Sequence, residues 1–187
     1  MNELLREHIE KIVPLTNEEF AFVLSHFTDK KFKKHQLLIR EGHPVPFIYF
    51  VVSGLLKLVY SDNSGKQHAV SFAMEDWWEC DFQAYHTRKN ATLNLECVED
   101  THVFCLSLEG YQKLCAGLNK MEHFFLTKAN FGHMASQRRI LSLLTTNATD
   151  RYKQLLNQFP SLFQRVPKTL LASYLGVSRE TLSRLSS

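Results

Sequence analysis

The 187-residue sequence has no long apolar run, and its four cysteines lie far apart without a CxxC pair. No stretch approaches the ~18 apolar residues that a membrane-spanning helix needs, and no N-terminal apolar run resembles a signal peptide. The spacing of Cys80, Cys97, Cys105 and Cys115 matches no redox or zinc motif. These absences predict a cytoplasmic protein with reduced thiols and no integral membrane role.

Metal-binding and catalytic patterns are also missing. The nine histidines form no HxH, HxxxH or HxxE pair, so no metal site is predicted. No cysteine precedes Cys80, which disfavours an iron–sulfur cluster held by N-terminal cysteines. We therefore expect a protein without a cofactor that is not an enzyme. The alternative from another class is a cupin-like β-roll enzyme, although the two histidines that cupins place one residue apart on a strand are absent.

The C-terminal segment is the most informative part of the sequence. Pro167 suits a first helical position, and Leu171 and Leu175 repeat at helical spacing. Gly176 permits a tight turn, and Ser178 can cap a second helix by accepting hydrogen bonds from its first-turn amides. This spacing predicts a helix-turn-helix.

The second helix of this motif would present polar side chains to DNA. Because Leu182 and Leu185 are expected to bury against the first helix, Arg179, Glu180, Ser183 and Arg184 remain on the outward face. Such side chains can hydrogen-bond base edges and phosphates in a major groove. The alternative is an ordinary helical hairpin with a solvated charged face.

Positive charge collects on this end of the chain. Residues 148–187 hold six Lys or Arg against Asp150 and Glu180, a net charge of +4, so the remaining residues sum to −1. Attraction of DNA phosphates requires positive charge near the helix-turn-helix.

Earlier in the chain, helix signals give way to strand signals. Two short helices are predicted within Leu4–Phe27, broken at Pro14, with Thr16 and Glu19 forming a capping box. From about residue 33 to residue 108, short runs rich in β-branched and aromatic residues are bounded by turn formers. The runs are Leu37–Ile39, Phe47–Val52, Leu55–Tyr60, Ala69–Ala73, Thr92–Cys97 and His102–Leu106. This pattern favours an antiparallel roll or barrel over a parallel α/β sheet.

A long helix is predicted after the strands. A short helix opens at Ser107 and runs through Leu114, and a second, over Leu118–Leu144, would be roughly 40 Å long, more than a small roll can cover. Its apolar stripe consists of Met121, Phe125, Phe131, Met134, Leu141 and Leu144. We interpret the stripe as a homodimer seam; the alternative is a helix packed within its own chain. A further helix restarts near Asn147 and is expected to end at Pro160.

The order of these elements resembles the Crp/Fnr family of bacterial transcription regulators over nearly the whole chain. The most specific part is Gly176–Arg184, which is similar to the family's recognition-helix pattern. Ile39–Gly42, Phe50–Gly54 and Leu95–Thr101 look like its roll motifs. The resemblance implies an α+β fold, with an antiparallel β-roll of the double-stranded β-helix type, flanking helices, a long dimerisation helix and a small C-terminal helix-turn-helix domain.

The same resemblance implies a domain order and a function. The effector domain would occupy residues 1–117, the dimerisation helix residues 118–146 and the DNA-binding domain residues 147–187. The protein would regulate transcription as a homodimer on double-stranded DNA carrying an inverted-repeat operator. The implied DNA-binding residues are Lys168, Thr169, Ser178, Arg179, Glu180, Thr181 and Arg184. Arg179 and Arg184 would contact bases or phosphates, and Glu180 would accept from a cytosine amino group.

The sequence departs from the family at the cyclic-nucleotide site. Members that bind cyclic AMP have a Gly-Glu pair for the ribose and an Arg-Ser/Thr-Ala run for the phosphate, whereas this chain has Trp78–Asp81 and Arg88–Thr92 at the equivalent stretches. Lys89 keeps a cation, but a point charge does not replace a bidentate fork. We expect that cyclic AMP is not bound in the usual way. A diverged site responsive to a cyclic nucleotide or another small molecule is the alternative, and its candidate ligand-binding residues are Glu79, Cys80, Asp81, Arg88 and Lys89.

The sequence also stops at Ser187, just after the recognition helix. The family continues there into a β-hairpin wing. A missing wing is expected to weaken the grip on DNA phosphates.

Overall fold

The computed structural model describes residues 2–185 and divides into two compact units. The described residues up to Leu58 form the first unit together with Phe72–Asn130, and Val59–Ser71 form the second together with the described residues from Phe131 onward. No helix in the described part of the chain has the length and apolar character needed to cross a membrane. The predicted domain boundaries after residues 117 and 146 stay a prediction.

Helices lie at both ends of the described chain, with strands and one short helix between them. The helices are α1 (Asn2–Glu10), α2 (Asn17–Leu24), α3 (Phe82–Thr87), α4 (Leu108–Gly117), α5 (Asn119–Thr145), α6 (Ala148–Gln158), α7 (Pro160–Arg165), α8 (Lys168–Leu175) and α9 (Arg179–Leu185). The strands are β1 (Phe27–Phe32), β2 (Leu37–Ile39), β3 (Phe47–Ser53), β4 (Leu56–Ser61), β5 (Gln67–Ala73), β6 (Trp78–Glu79), β7 (Asn94–Cys97) and β8 (Thr101–Ser107).

The strands form two four-stranded sheets, in the orders β1-β8-β3-β6 and β2-β7-β4-β5. β8 pairs antiparallel with both β1 and β3, and the pairs β3–β6 and β2–β7 are also antiparallel. Side chains of both sheets, including Phe50, Leu95 and Val103, are buried in one apolar core. The predicted α+β class with antiparallel sheets is therefore confirmed.

Local sequence signals locate most of these elements correctly. The Thr16 hydroxyl accepts a hydrogen bond from the Glu19 amide at 3.2 Å, and the Glu19 carboxylate accepts one from the Thr16 amide at 2.8 Å. This is the predicted capping box at the start of α2. Each of the six predicted strand-like runs overlaps a strand.

The sequence pattern missed β1, β6 and α3, and it misplaced the role of one proline. β1 carries Asp29, Lys30 and Lys31 in its middle, which conceals the strand pattern; as an edge strand it leaves most of these residues to solvent. α6 ends at Gln158, before Pro160, and Pro160 instead opens α7. That place suits proline because the missing N–H is not needed in the first turn.

The burial of side chains in the first part of α5 corrects the predicted dimer seam. Met121 and Phe125 are buried in the core of the first unit together with Phe124. The Phe125 ring lies 4.6 Å from the Tyr111 ring and 5.9 Å from the Trp78 ring, measured between centroids. The assignment of Met121 and Phe125 to a seam was therefore wrong, because side chains of the same chain already cover them.

Candidate functional site

Helices α8 and α9 are joined by three residues whose backbone and side chains define both helix ends. Gly176 has φ +67°, in the left-handed region where glycine is favoured, and its amide donates to carbonyls in the last turn of α8. The Ser178 hydroxyl accepts from the Thr181 amide at 3.1 Å and so caps α9. Pro167 was predicted at the first helical position, but its ψ of 139° is extended, and it precedes α8 as the capping residue.

The inner faces of α8 and α9 are apolar and buried. Leu171, Ala172 and Leu175 of α8 are buried, as is Leu182 of α9. Leu185 was predicted to be buried with them and is only half-buried. Burial of these leucines fixes how each helix is rotated about its axis and leaves the charged residues of α9 on its outward side.

The outward face contains the residues predicted to contact DNA. Lys168, Thr169, Ser178, Arg179, Glu180 and Arg184 are exposed, and Thr181 is half-buried. The Arg184 guanidinium donates to the Thr181 hydroxyl at 3.4 Å. Hydrogen bonds from the backbone amide of Glu180 and from the Ser178 hydroxyl, with the nearby charges of Arg179 and Arg184, lower the pKa of the Glu180 carboxyl. This face therefore carries two guanidinium donors and an ionised carboxylate acceptor.

Arg151, one of the cations counted in the C-terminal charge, is turned toward its own chain. Its Nε donates to the Leu175 carbonyl at 2.9 Å, and its Nη1 donates to the Thr146 carbonyl. It therefore joins the ends of α8 and α5 to α6. Arg151 therefore has a structural role, whereas Lys153, Lys168, Arg179 and Arg184 of the same segment are exposed.

The later part of α5 has an exposed apolar face. Phe131 is 53% exposed and Leu144 is 76% exposed. The other exposed large apolar residues from position 126 onward are Leu126, Met134, Ile140, Leu141 and Leu143. Leu126, His133 and Ile140 follow one another at seven-residue intervals, the spacing of one face of a paired helix. Phe131, Met134, Leu141 and Leu144 of the predicted stripe are thus exposed, in contrast to Met121 and Phe125.

The structure does not bring the five candidate ligand-binding residues into one site. Glu79, Cys80 and Asp81 are buried. The Glu79 carboxylate accepts from the Cys80 amide at 3.0 Å, and burial, ahead of the charges of Glu79 and Asp81, raises the pKa of the Cys80 thiol. A buried thiol of this kind does not ionise readily.

Asp81 has several internal hydrogen-bond partners. Its carboxylate caps α3 by accepting from the Ala84 amide at 3.0 Å. It also accepts from the Thr92 amide at 2.8 Å and the Thr92 hydroxyl at 3.2 Å. These bonds tie the start of α3 to the segment before β7, so the carboxylate has a structural role in this state.

Arg88 and Lys89 lie in a different setting. Both are exposed, and Arg88 ends α3 with φ +55°. They line an open cleft of about 370 Å³ together with Tyr85, Leu108 and Glu109. This cleft combines two cations and one carboxylate with apolar walls, so its net charge is positive.

Several histidines are paired with carboxylates of the same chain. His8 Nδ1 lies 2.6 Å from Asp76, and His102 Nε2 lies 2.8 Å from Asp29. Trp78 donates its indole N–H to His8 Nε2 at 3.0 Å, so His8 Nδ1 carries the proton of the neutral ring. Within residues 2–185, no group of three His, Cys, Asp or Glu side chains is arranged to hold a metal ion.

Sequence reasoning missed Arg139 and Ser173, which hydrogen-bond to the backbone of β5. Ser173 and its partner Ala69 are 104 residues apart in the chain. No local spacing rule connects such distant residues. Of these residues only Arg139 gave a signal in the sequence, and that signal was ambiguous. It is a charged residue on the half-buried side of a long helix.

Comparison with known proteins matches part of this chain to a domain family. Residues 29–117 match the family model of the cyclic nucleotide-binding domain. A search of curated proteins found no match.

Solved regulator structures share the fold. The c-di-GMP-responsive global regulator CLP of Xanthomonas campestris is 16% identical, with a TM-score of 0.73 over 91% of this chain and 89% of CLP. A regulator assigned to the Crp/Fnr family from Eubacterium rectale is 13% identical, with a TM-score of 0.69 over 91% of this chain and 82% of that one. The Thermus thermophilus catabolite activator protein is 21% identical, with a TM-score of 0.58 over 94% and 84% of the two chains. At these identities the likeness is one of fold.

Proposed function

We propose that this protein is a sequence-specific, DNA-binding transcription regulator of the Crp/Fnr type that acts as a cytoplasmic homodimer. The observation that carries the proposal is the division of α9 into two faces. Leu182 is buried, whereas Arg179, Glu180 and Arg184 are exposed. In this proposal α8 and α9 form the helix-turn-helix, and α9 is its recognition helix.

The side chains of α9 have the chemistry that base recognition needs. Arginine can donate two hydrogen bonds to the O6 and N7 atoms of guanine, and glutamate can accept from the amino group of cytosine. Arg179 and Arg184 are five residues apart, about one and a half helical turns, so both can face one major groove. Lys168, Thr169, Ser178 and Thr181 would contact the DNA backbone, which positions the protein without reading the sequence.

A homodimer explains the exposed apolar face of α5. Soluble proteins rarely leave a contiguous apolar patch of this kind uncovered, and Phe131, Ile140 and Leu144 are all more than half exposed. Pairing of two α5 helices along this face would cover the patch and relate two recognition helices by a two-fold axis. The operator would then be an inverted repeat with half-sites about 34 Å apart.

The effector is a separate part of the proposal. We infer that cyclic AMP is not bound in the usual way, because Asp81 and Glu79 are buried and internally bonded. A second candidate function, response to a small anionic effector, is favoured by the open cleft at Arg88 and Lys89. The ligand class to test first is that of other nucleotides, since the structural neighbour CLP responds to c-di-GMP. The neighbours are regulators, which points away from the cupin-like enzyme.

Selection of bound duplexes from a random DNA pool, using the full chain, tests the proposal directly. We expect enrichment of an inverted repeat whose half-sites are separated by one turn of duplex. The selected operator and a scrambled duplex of the same composition then serve as a matched pair in a titration. Equal affinity for the two duplexes would contradict sequence-specific recognition.

A further inference from the structure

Strand β5 lies at the edge of its sheet, so one side of its backbone has no neighbouring strand among the described residues. Edge strands commonly need such groups covered or blunted. Here a single side chain of α8 provides partners. The Ala69 amide donates to the Ser173 hydroxyl at 2.9 Å, and that hydroxyl donates to the Gln67 carbonyl at 3.3 Å. The Ser173 hydroxyl therefore takes the place of a missing strand neighbour at two points on β5.

Helix α5 joins the same contact through Arg139. Its Nη2 donates to the Tyr174 carbonyl at 3.0 Å and to the Ala69 carbonyl at 3.4 Å. The guanidinium also lies over the Tyr174 ring, 3.6 Å from the ring centroid. Stacking and hydrogen bonding by one planar group restrict its orientation more than a simple ion pair would. Ala69 is thus the point where α5, β5 and α8 meet.

The division of the chain into two compact units agrees with this contact. Val59–Ser71, which holds most of the β4–β5 hairpin, belongs to the same compact unit as the C-terminal helices. Ser173 lies on the side of α8 opposite Leu171 and Leu175, which are buried. α8 is therefore held on one side through its leucines and on the other through Ala69.

We propose that Ser173 and Arg139 are positioning residues that fix the orientation of α8 and α9 relative to α5 through the edge of β5. This inference rests on the proposed function, in which the exposed face of α5 pairs two chains and α9 enters the major groove. Two linked recognition helices bind cooperatively only when their separation and angle match the two half-sites. Ser173 and Arg139 therefore control the fit to the spacing of half-sites and do not contact either half-site.

The test compares two duplexes, the full inverted repeat and a single half-site. Ser173→Ala removes the hydroxyl and leaves the Ala69 amide and the Gln67 carbonyl without their partner. We expect about tenfold weaker binding to the full repeat, the upper range for losing such a bond, and no change in binding to the half-site. A purely structural role would weaken both, because the damage would lie in the recognition helix itself.

Changing the spacing supplies a second readout. For the unmodified protein, inserting or deleting one base pair between the half-sites should weaken binding sharply. In Ser173→Ala this penalty should become smaller, since looser helices adapt to more than one spacing. Ser173→Thr keeps the hydroxyl and should restore the preference of the unmodified protein. Ser53→Ala, at an exposed serine of β3 in the first unit, is the matched control and should bind as the unmodified protein does.

A further variant keeps the test decisive if Ser173→Ala does not fold. Arg139→Lys retains the charge but loses the planar stack on Tyr174, and the same selective loss on the full repeat is expected. Equal losses on full and half sites, or unchanged spacing preference in both variants, would overturn the positioning role. Failure of the unmodified protein to distinguish the operator from a scrambled duplex would instead overturn the proposed function, so the two failures are distinguishable.

Discussion

The two units use their side chains in opposite ways. In the first, ionisable groups such as His8, Glu79 and Asp81 are buried and bonded to the same chain. In the second, large apolar residues of α5 and the charged residues of α9 are exposed. Groups satisfied within the chain stabilise the fold, whereas exposed apolar and cationic faces are available to a partner.

Helix α5 shows the contrast within one element. Phe125, in its first part, is 8% exposed, and Phe131, in its second part, is 53% exposed. Residue type is the same at both positions, so the difference comes from what the rest of the chain places opposite each face. Apolar character along a helix therefore does not by itself show which part of the helix its own chain covers.

The largest predicted effect is the difference between the same substitution at Phe125 and at Phe131. Phe125→Glu should lower the free energy of unfolding of the first unit by about 3–5 kcal/mol, because it removes a core ring and buries a charge. Phe131→Glu should leave that unit folded and give monomers. Denaturant unfolding followed by the fluorescence of Trp77 and Trp78, both in the first unit, measures the first effect, and sedimentation velocity measures the second. Similar loss of stability in both variants would remove the contrast between the units.

A pH titration of stability tests whether the ionisable groups of the first unit are buried and bonded within the chain. Burial, with the charge of Lys128 adding to it and Asp76 opposing it, lowers the pKa of His8 from 6.5 to about 4. The unfolded chain therefore binds this proton at higher pH than the folded chain does. Stability from neutral His8 is present above pH 6.5 and falls as the pH drops toward 4, by about 3 kcal/mol in total.

His8→Asn is the matched variant for this titration. The amide side chain can still donate and accept hydrogen bonds but does not titrate, so the pH dependence over that interval should become shallower. Carboxylates that do not contact His8 contribute equally to both curves and cancel in the difference, which leaves His8 and its partner Asp76. Parallel curves for the two proteins would show that His8 titrates alike in the folded and unfolded chains.

Two substitutions that each remove a positive charge test whether the exposed polar face of α8 and α9 binds DNA. Arg184→Ala should weaken operator binding by roughly 1–3 kcal/mol and relax base preference at one position. Lys168→Ala should weaken binding to all duplexes alike and reduce the salt dependence by about one unit of slope. Titrations against the operator and the scrambled duplex at two salt concentrations distinguish these outcomes. A face that is merely solvated would leave binding to both duplexes equally weak before and after either change.

The smallest expected effect concerns cyclic AMP. Calorimetry with the full chain should show weak binding or none, because the family resemblance places Lys89 at the position of the phosphate-binding arginine and because Asp81 is hydrogen-bonded to Ala84 and Thr92. A micromolar or tighter dissociation constant would show this expectation to be wrong. If another anionic ligand, such as c-di-GMP, binds, Arg88→Ala and Lys89→Ala are the first variants to compare, since both residues line the open cleft.

Local physics in the sequence was sufficient for many elements. The capping box at Thr16 and Glu19, the left-handed turn at Gly176 and the cap at Ser178 each involve residues within a few positions of one another. Runs of β-branched and aromatic residues likewise located six of the strands. Such features follow from sterics and hydrogen bonding along a short stretch of chain, so a single sequence carries them.

Other features depend on contacts between distant residues. The core position of Phe125, the strand character of the charged β1 segment and the bond from Ala69 to Ser173 follow from sheet order and helix packing. A strand with charged residues in its middle is stabilised by its ladder with β8, and a serine hydroxyl becomes a backbone partner only when an edge strand lies beside it. Composition and periodicity describe what each face of an element can bury or bind, whereas long-range packing selects which of those faces the chain itself covers.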